Sequence, residues 1–480
     1  MIRFGSFQID PRTWLLTRDG AGVDLSPRLV EILGYIASRG GEIVTKEELL
    51  EKFWPDVNVT ENTLTRAIAD IRKAIGEDAT SPRFLQTAAR RGYRFGGDGV
   101  SITPATDPFQ EWVKGRLALD SLDASKLNDA VLAFERTTVE LPKYAPAHAG
   151  LANGYLLQYE RTRFASAPDR DLLARAMTAA RQATTLDASL GEAWAVLGYL
   201  LCAAGKTDEG QAAARRATAL EPENWRHHYR LAYGAWGEER LRAVDRTLAL
   251  MPGFAPARML ACMVFVARGT IDRAEREASI GVEAQRQNLA DQTPLPAVGF
   301  HWLRGMILAA KGDRAGALAC FAEEIDGGKS GHVYAREFVA NARVATGFTE
   351  FEQRELEKAS ASFAAALADS PGHPKATVGT YAIAAASNDQ QAIDRCRQDT
   401  VAAIHELRRS ERHTEAALVS AGAQIVQGHT GEAAAALDSL LASSPAGPAG
   451  WIIPIDPMLA AIRQDPAKQA LFARLAARAA

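Results

Sequence analysis

Short apolar runs and helical stripes alternate over the first hundred residues in an order that predicts a small α+β domain. Three apolar clusters between turn signals predict strands. Three stretches with apolar residues at helical spacing follow, and two further apolar runs flank a basic, turn-prone tip, which predicts a hairpin. The predicted strands are 4–9, 14–17 and 23–25, the helices start after Ser26, Thr45 and Thr60 (or Asn58), and the hairpin strands are 84–87 and 93–95.

The third predicted helix, residues 60–75, has two chemically different faces. One face is apolar and predicts packing against a core. The other carries an amide and cations, whose donors can reach base edges and phosphates in a DNA major groove. A solvated helix surface has the same appearance, so the helix alone does not decide between the two. The apolar face holds Leu64, Ile68, Ile71 and Ile75, and the polar face holds Asn62, Arg66, Ala69, Asp70 and Lys73.

A stretch rich in Gly, Pro, Ser and Thr at 98–108 predicts a linker after this domain. Beyond it, residues 109–445 repeat a pattern of small and large apolar residues. The repeat at 191–222 is the most regular, with Trp194-x-x-Leu197-Gly198 followed by small residues and Pro222. This spacing resembles the tetratricopeptide repeat, which implies eight or nine antiparallel helix pairs. Residues 446–480 resemble the terminal segment of many such proteins and predict a cap that covers the last repeat with Leu459, Ile462, Leu471 and Leu475.

The charge of the chain is nearly balanced, but its distribution is not. The 480 residues carry a net charge of −3, and residues 1–98 hold 14 cations and 14 anions. Within 63–94, however, seven cations face three anions. A neutral domain with one basic end can bind a polyanion locally, although less tightly than a domain that is basic throughout.

The cysteines and the N-terminus predict a cytoplasmic protein. The four cysteines stand far apart in apolar helical surroundings, which predicts buried, reduced thiols. The first residues show no apolar signal-peptide run. The longest apolar stretch, near 259–267, is far shorter than the roughly 20 residues of a membrane helix, so we expect no membrane span.

The order of strands, three helices and a basic hairpin resembles a winged helix-turn-helix. In particular, residues 1–97 resemble the DNA-binding domain of OmpR/PhoB-type regulators, as used at the N-terminus of CadC/ToxR-like regulators. The most specific motifs are Ile71-Arg72-Lys73-Ala74-Ile75-Gly76 and Thr87…Arg91-Gly92-Tyr93-Arg94-Phe95. The predicted fold is therefore multidomain, with an α+β winged helix followed by an all-α tetratricopeptide-repeat superhelix.

The resemblance implies roles for individual residues. In that family the third helix lies in the major groove, the wing reaches the adjacent minor groove, and the loop between the second and third helices touches RNA polymerase. The groove-facing set then becomes Asn62, Thr63, Arg66, Ala69, Asp70 and Lys73, with Arg72 as a phosphate contact and Arg90 and Arg91 as wing contacts. The polymerase-contact loop becomes Trp54 to Val59, including Asp56, Val57 and Asn58.

The sequence also departs from the family pattern. Several relatives have basic residues where this chain has Ala69 and Asp70, so we expect weaker phosphate attraction or another base preference. Asp70 can accept a hydrogen bond from cytosine, or it can pair with Arg66 or Lys73 on the helix surface, and both interpretations stay open. This sequence shows neither a receiver domain before the module nor a membrane helix after it.

Enzyme signatures are weak throughout the chain. The segment 327–330, Gly-Gly-Lys-Ser, ends like a phosphate-binding loop but lacks the earlier glycine, because Glu323 stands there, and follows a predicted helix. The histidines have no ligand set suited to zinc, and we predict no cofactor, no metal and no catalytic residue. Aromatic residues recur at helical spacing and predict core packing, or less simply a ligand groove; they are Trp225, Tyr229, Tyr233 and Trp236.

These observations predict a bacterial transcription regulator that acts in signal transduction. Its winged helix would bind double-stranded promoter DNA, while the repeats bind a protein or small effector or self-associate, with a homodimer as one arrangement. The alternative is a protein-interaction scaffold whose winged helix does not bind DNA, which the balanced charge and Asp70 favour slightly.

Overall fold

The structure is a computed structural model of the whole chain. It describes all residues except Met1, 11–13, 55–60, Ala79, Arg90, 97–100, 103–107, 163–167, 292–296, 329–330 and 466–467. The predicted caps Asn58 and Thr60 of the third helix lie outside the described residues.

The described residues of the N-terminal domain form three helices and two small sheets. One sheet has five strands in the order β4-β3-β2-β1-β8, and the other has three in the order β5-β7-β6. All neighbouring strands are antiparallel. The elements are β1 (Ile2–Phe4), β2 (Phe7–Asp10), β3 (Leu15–Arg18), β4 (Ala21–Gly22), α1 (Pro27–Ser38), β5 (Val44–Thr45), α2 (Lys46–Phe53), α3 (Glu61–Ile75), β6 (Leu85–Ala88), β7 (Gly92–Phe95) and β8 (Ser101–Ile102).

The strands differ in four places from the sequence-based prediction. The short β5, which pairs with β7, was not predicted. The predicted strand 4–9 is a hairpin, because Gly5 adopts a positive φ of 55° and turns the chain between β1 and β2. The predicted strand 23–25 is irregular, and β4 lies just before it. Inside the predicted linker, β8 pairs with β1 and extends the five-stranded sheet.

One apolar core joins the two sheets and the three helices. Phe4 is fully buried, and its ring lies 5.1 Å from that of Phe84 and 5.0 Å from that of Phe95. The wing strands are therefore held by aromatic contacts to the N-terminal sheet. The apolar stripe predicted for the third helix is buried in this same core, with Leu64, Ile68, Ile71 and Ile75 each at most 4% exposed.

The rest of the described chain is helical and forms nine antiparallel helix pairs and a C-terminal segment. The first helix of a pair also contacts the first helix of the following pair in most places, so the first helices line the inner surface of the array. The predicted combination of a winged helix and a tetratricopeptide-like superhelix is confirmed. The pairs are α4 (Pro108–Asp120) and α5 (Leu127–Glu140), α6 (Ala145–Glu160) and α7 (Arg170–Leu186), α8 (Gly191–Ala203) and α9 (Thr207–Leu220), α10 (Trp225–Gly234) and α11 (Gly237–Leu250), α12 (Pro256–Ala267) and α13 (Ile271–Asp291), α14 (Phe300–Lys311) and α15 (Arg314–Gly327), α16 (Ala335–Glu352) and α17 (Leu356–Asp369), α18 (Pro374–Ala386) and α19 (Gln390–Arg409), and α20 (His413–Val426) and α21 (Thr430–Ser443).

Fully buried phenylalanines fill notches that glycines leave between the helices. A Cβ atom placed on Gly347 or Gly379 would lie 2.6 or 2.3 Å from the ring of Phe363. Phe134 and Phe321 meet glycines in the same way in their own pairs. The small and aromatic residues of the sequence pattern are thus two halves of one packing unit, because the ring fits only where the facing residue has no side chain.

The C-terminal segment does more than cover the last repeat. It contains a short 3₁₀ turn (Pro457–Leu459), α22 (Ala460–Arg463) and α23 (Gln469–Arg478). The 3₁₀ turn contacts α14, α16 and α20, which are all first helices, and α23 reaches back to α12. The predicted cap residues Leu459, Ile462, Leu471 and Leu475 are buried, but the segment that they anchor runs along the inner surface of the array.

Other features of the repeats match simple packing roles. Cys262 and Cys320 are buried, while Cys202 and Cys396 are half-buried, and burial raises the pKa of the Cys202 thiol to about 11. The four aromatic rings predicted to pack in the core are half-buried and pack against it; for example, Trp225 lies 4.4 Å from Phe254. Among the described helices none combines the length and the apolar character needed to cross a bilayer.

Candidate DNA interface

The outward face of α3 is open to solvent from Asn62 to Lys73. Asn62, Arg66, Asp70 and Lys73 are exposed, and Thr63 is half-buried. The opposite stripe fixes the helix in the core, so these side chains have a rigid base. The four exposed side chains recur at helical spacing of three to four residues and therefore form one continuous polar strip.

Asp70 forms no ion pair with either of its helical neighbours. Arg66 stands four residues before it and Lys73 three residues after it, yet neither is within 4.0 Å of its carboxylate among the described residues. The sequence left two interpretations of Asp70 open, a contact with cytosine and an ion pair on the helix surface. The ion pair is not present in the structure. The carboxylate and both cations therefore remain available to an external partner.

Arg72 does not have the position expected of a phosphate contact. It is only 8% exposed, and its guanidinium donates to the carbonyl oxygen of Leu85 at 3.0 and 2.7 Å and to the hydroxyl of Thr87 at 2.8 Å. Because its donors are turned towards β6, they do not face the solvent side of α3. The prediction for Arg72 is therefore corrected: this residue ties the helix to the wing.

A second tie fixes the start of the wing. Glu77, just after the end of α3, accepts hydrogen bonds from the backbone N–H groups of Phe84 and Leu85, the latter at 3.0 Å. At the other end of the hairpin, β7 pairs with β5, and Gly92 lies so close that a Cβ atom there would stand 2.0 Å from the carbonyl oxygen of Val44. Sequence reasoning missed Glu77; its place directly after the Gly76 helix stop was the available signal.

The wing presents its arginines at the tip and along one strand. Arg91 is exposed at the turn, where its N–H donates to the carbonyl of Ala88 at 2.9 Å. Arg94 is exposed on β7 and bonds to the side chain of Gln86 at 3.0 Å. Arg90 lies outside the described residues. The wing thus adds positive charge to the end of the domain that also carries the C-terminal turn of α3.

The predicted polymerase-contact loop is described only at its first residue. Trp54 is half-buried, and the guanidinium of Arg28 lies 4.7 Å from its ring. Asp56, Val57 and Asn58 lie outside the described residues. This contact anchors the beginning of the loop to α1, where Arg28 lies.

The repeats approach the winged helix at α1 and leave α3 open. The ring of Trp14, just before β3, packs against the N-terminal core and on Phe109 of α4, at 5.4 Å between ring centroids. Burial raises the pKa of the Glu31 carboxyl on α1, while the positive charges of Arg116 and Arg226 in the repeats oppose that shift. Because the polar strip of α3 is exposed in the whole chain, the repeats do not cover it.

We expect Arg72→Lys to loosen the wing without removing a positive charge. A lysine ammonium lacks the planar fork that reaches Leu85 and Thr87 together, so about one hydrogen bond is lost, worth about 1 kcal/mol of unfolding free energy. Chemical denaturation of the two proteins, followed by near-UV circular dichroism, measures the difference. Lys73→Arg on the exposed strip is the matched control, and an equal loss there would contradict the bracing role of Arg72.

The fold and this site define a winged-helix domain of the OmpR/PhoB type, followed by tetratricopeptide-like repeats. Residues 20–95 match the family described as "Transcriptional regulatory protein, C terminal". The chain is 30% identical over 95 residues to the transcriptional activator CadC of Escherichia coli, which covers 20% of this chain and 19% of the relative. It is 35% identical over 89 residues to the transcriptional regulator HilA of Salmonella typhimurium, covering 18% and 16%.

These similarities concern the N-terminal domain, and the chain spans less than a fifth of the length of the two relatives. Among solved structures, a tetratricopeptide repeat protein from Parabacteroides merdae is 15% identical and covers 62% of this chain and 100% of its own, with a TM-score of 0.37.

Proposed function

We propose that the chain is a transcription regulator that reads double-stranded promoter DNA with α3 and the wing. The observation that carries the proposal is the exposed strip of α3, where an amide, a carboxylate and two cations stand on a rigid helix with no ion pair between them. Such side chains hydrogen-bond to base edges in a major groove. The relatives named above, which are a transcriptional activator and a regulator, share the domain that carries this strip.

Within this proposal the residues divide into two roles. Arg66 and Asn62 read bases, because both lie on the first two turns of the strip, and Lys73 supports them near the phosphates. Arg90 and Arg91 hold the backbone from the wing. Asp70 selects for cytosine or weakens the site overall, and the Arg72 guanidinium keeps helix and wing in register rather than contacting DNA.

The repeat domain supplies regulation in this proposal. It binds a protein or small effector, and its contact with Trp14 and α1 passes the effect to the DNA-binding domain without covering α3. The loop that starts at Trp54 contacts RNA polymerase, and two copies bind adjacent half-sites as a homodimer. A protein that reads chromosomal promoters in this way acts in the cytoplasm.

We expect Arg90→Ala combined with Arg91→Ala to weaken binding to all duplexes alike. Each phosphate contact contributes about 0.9 to the slope of log affinity against log salt, so two lost contacts flatten the slope by about 2. Titrations against one operator and one unrelated duplex at several salt concentrations measure the slopes. A selective loss on the operator would contradict a backbone role and assign the wing to base reading.

The proposed function itself is tested by titrating the purified full-length chain against fragmented genomic duplex DNA at two salt concentrations. We expect salt-sensitive enrichment of particular fragments, which would also yield the operator. Folded protein that retains no DNA at low salt would overturn the proposal in favour of a protein-interaction scaffold.

A further inference from the structure

A cavity of about 540 Å³ lies where the C-terminal segment crosses the inner surface of the repeats. One wall comes from the turn between α12 and α13 and from the end of α14, and the other comes from the segment that includes Pro454 and α23. Its size falls in the range of roughly 300–1,000 Å³ that is typical of small-molecule sites. No role of the winged helix involves this part of the chain.

The C-terminal segment is tied to the repeats at two places. The carboxylate of Asp456 is 3% exposed and lies 2.6 Å from the ammonium of Lys375 on α18. Near the chain end, the guanidinium of Arg268 donates to the carbonyl oxygen of Ala479 at 2.7 Å. Because the segment is fixed at both ends, the space between it and the repeats is part of the folded structure.

Three cations and one anion line the cavity, and two of the cations are already satisfied. Lys311 pairs with Asp272 at 2.8 Å and also with a second carboxylate, while Arg268 bonds to Ala479 and pairs with Glu238 at 3.2 Å. These groups therefore form a polar edge whose charges are largely neutralised.

Arg463 is the exception. Its guanidinium makes only two contacts among the described residues, at 3.5 Å to the carbonyl oxygens of Pro454 and Asp456, and forms no ion pair within 4.0 Å. Burial lowers the pKa of this guanidinium. A guanidinium has five N–H donors, and two long contacts leave most of them unused. The side chain is half-buried, and the negative charges of Glu352 and Asp456 oppose the pKa shift without either carboxylate lying within 4.0 Å. An anionic ligand in direct contact would use the free donors and stabilise the charge further.

The remaining lining is apolar. Ile271, Pro454 and Phe472 face the cavity together with several alanines. A fitting ligand therefore combines an apolar body with a single anionic group. A guanidinium binds carboxylates and phosphates alike, so the choice between them rests on charge. A singly charged carboxylate suits the site better than a doubly charged phosphate, because Lys311 and Arg268 are already paired and Arg463 alone among the lining cations is not.

We propose that this cavity binds a small monocarboxylate with an apolar body, with the carboxylate on Arg463 and the body against Ile271 and Phe472. The ligand contacts both the repeats and the C-terminal segment, so its binding stabilises the interface between them. The role of this ligand as the effector of the repeat domain rests on the function proposed above. The binding reaction itself involves no DNA.

The probe is octanoate, titrated into the full-length chain by isothermal calorimetry. We expect saturable binding at one site per chain, weakened at least about tenfold by Arg463→Gln through loss of a charge-assisted contact. Arg474→Gln is the matched control, because Arg474 lies on α23 but its guanidinium pairs with Asp438 at 2.6 Å on the exposed side. We expect this variant to bind octanoate as the unaltered chain does.

Ala476→Phe provides a second variant that fills the cavity and leaves Arg463 in place, and we expect it to abolish binding. Octanol tests the anionic group, and octyl phosphate tests the choice of carboxylate. The proposal is overturned if octanoate does not bind, if Arg463→Gln or Ala476→Phe binds it unchanged, or if octanol binds equally well. Tighter binding of octyl phosphate would replace the carboxylate by a phosphate ester. A failure of any kind here leaves the DNA titration unaffected, so the two proposals fail separately.

Discussion

Phe363→Ala is expected to lower the local free energy of unfolding in the repeats by about 3–5 kcal/mol, the cost typical of a large cavity in a rigid core. The ring is fully buried and contacts the ring of Phe348 at 4.9 Å. The backbone on both sides is already at closest approach, because Gly347 and Gly379 leave room only for this ring. Neither glycine has a side chain that could move in and close the space.

The loss should be confined to the neighbourhood of Phe363. Each repeat contacts mainly its neighbours, so hydrogen exchange in α16, α17 and α18 should accelerate while the first repeats remain protected. Val401→Ala is the control, because Val401 is 47% exposed on the next pair. A uniform loss of protection across all nine pairs would contradict this local picture, and a change below about 1 kcal/mol would contradict the packing role.

Packing of this kind is what the sequence predicts well. Gly347, Phe363 and Gly379 lie on three consecutive helices, so residues close in sequence decide how the ring fits between the glycines. The same holds for the apolar stripe of α3, whose four members are all buried. Local periodicity is sufficient in these cases because the helix itself brings the residues together.

The errors concern contacts between segments that are distant along the chain. Arg72 lies beside the buried stripe, and only the position of β6 decides whether its guanidinium meets water or the Leu85 carbonyl. β8 has two residues in a stretch of turn-forming composition, and it becomes a strand because the edge of β1 is free to pair. The inward course of the C-terminal segment likewise depends on the curvature of the array, which no single repeat encodes.

The groove-facing set stays a prediction, although the structure narrows it. Asn62, Arg66, Asp70 and Lys73 are exposed on one strip, whereas Arg72 belongs to the support of the wing. Burial separates the two groups, because a side chain whose N–H donors are bonded within the protein cannot also donate them to a base. Arg66 is then the cation nearest the centre of the strip and the strongest candidate for a base contact.

Arg66→Ala is therefore expected to reduce the discrimination between the operator and an unrelated duplex by about 1–3 kcal/mol, the value of one bidentate contact to a base edge. Arg3→Ala removes the same charge from the five-stranded sheet and serves as the control for long-range electrostatics. Both variants and the unaltered full-length chain are titrated against an operator selected from random duplexes and against a scrambled duplex. A loss of similar size on both duplexes would assign Arg66 to the phosphates, and unchanged binding to the operator would mean that another face of the domain meets DNA. Arg3→Ala should leave the discrimination intact, because a charge that contacts no base changes the affinity for every sequence by the same amount.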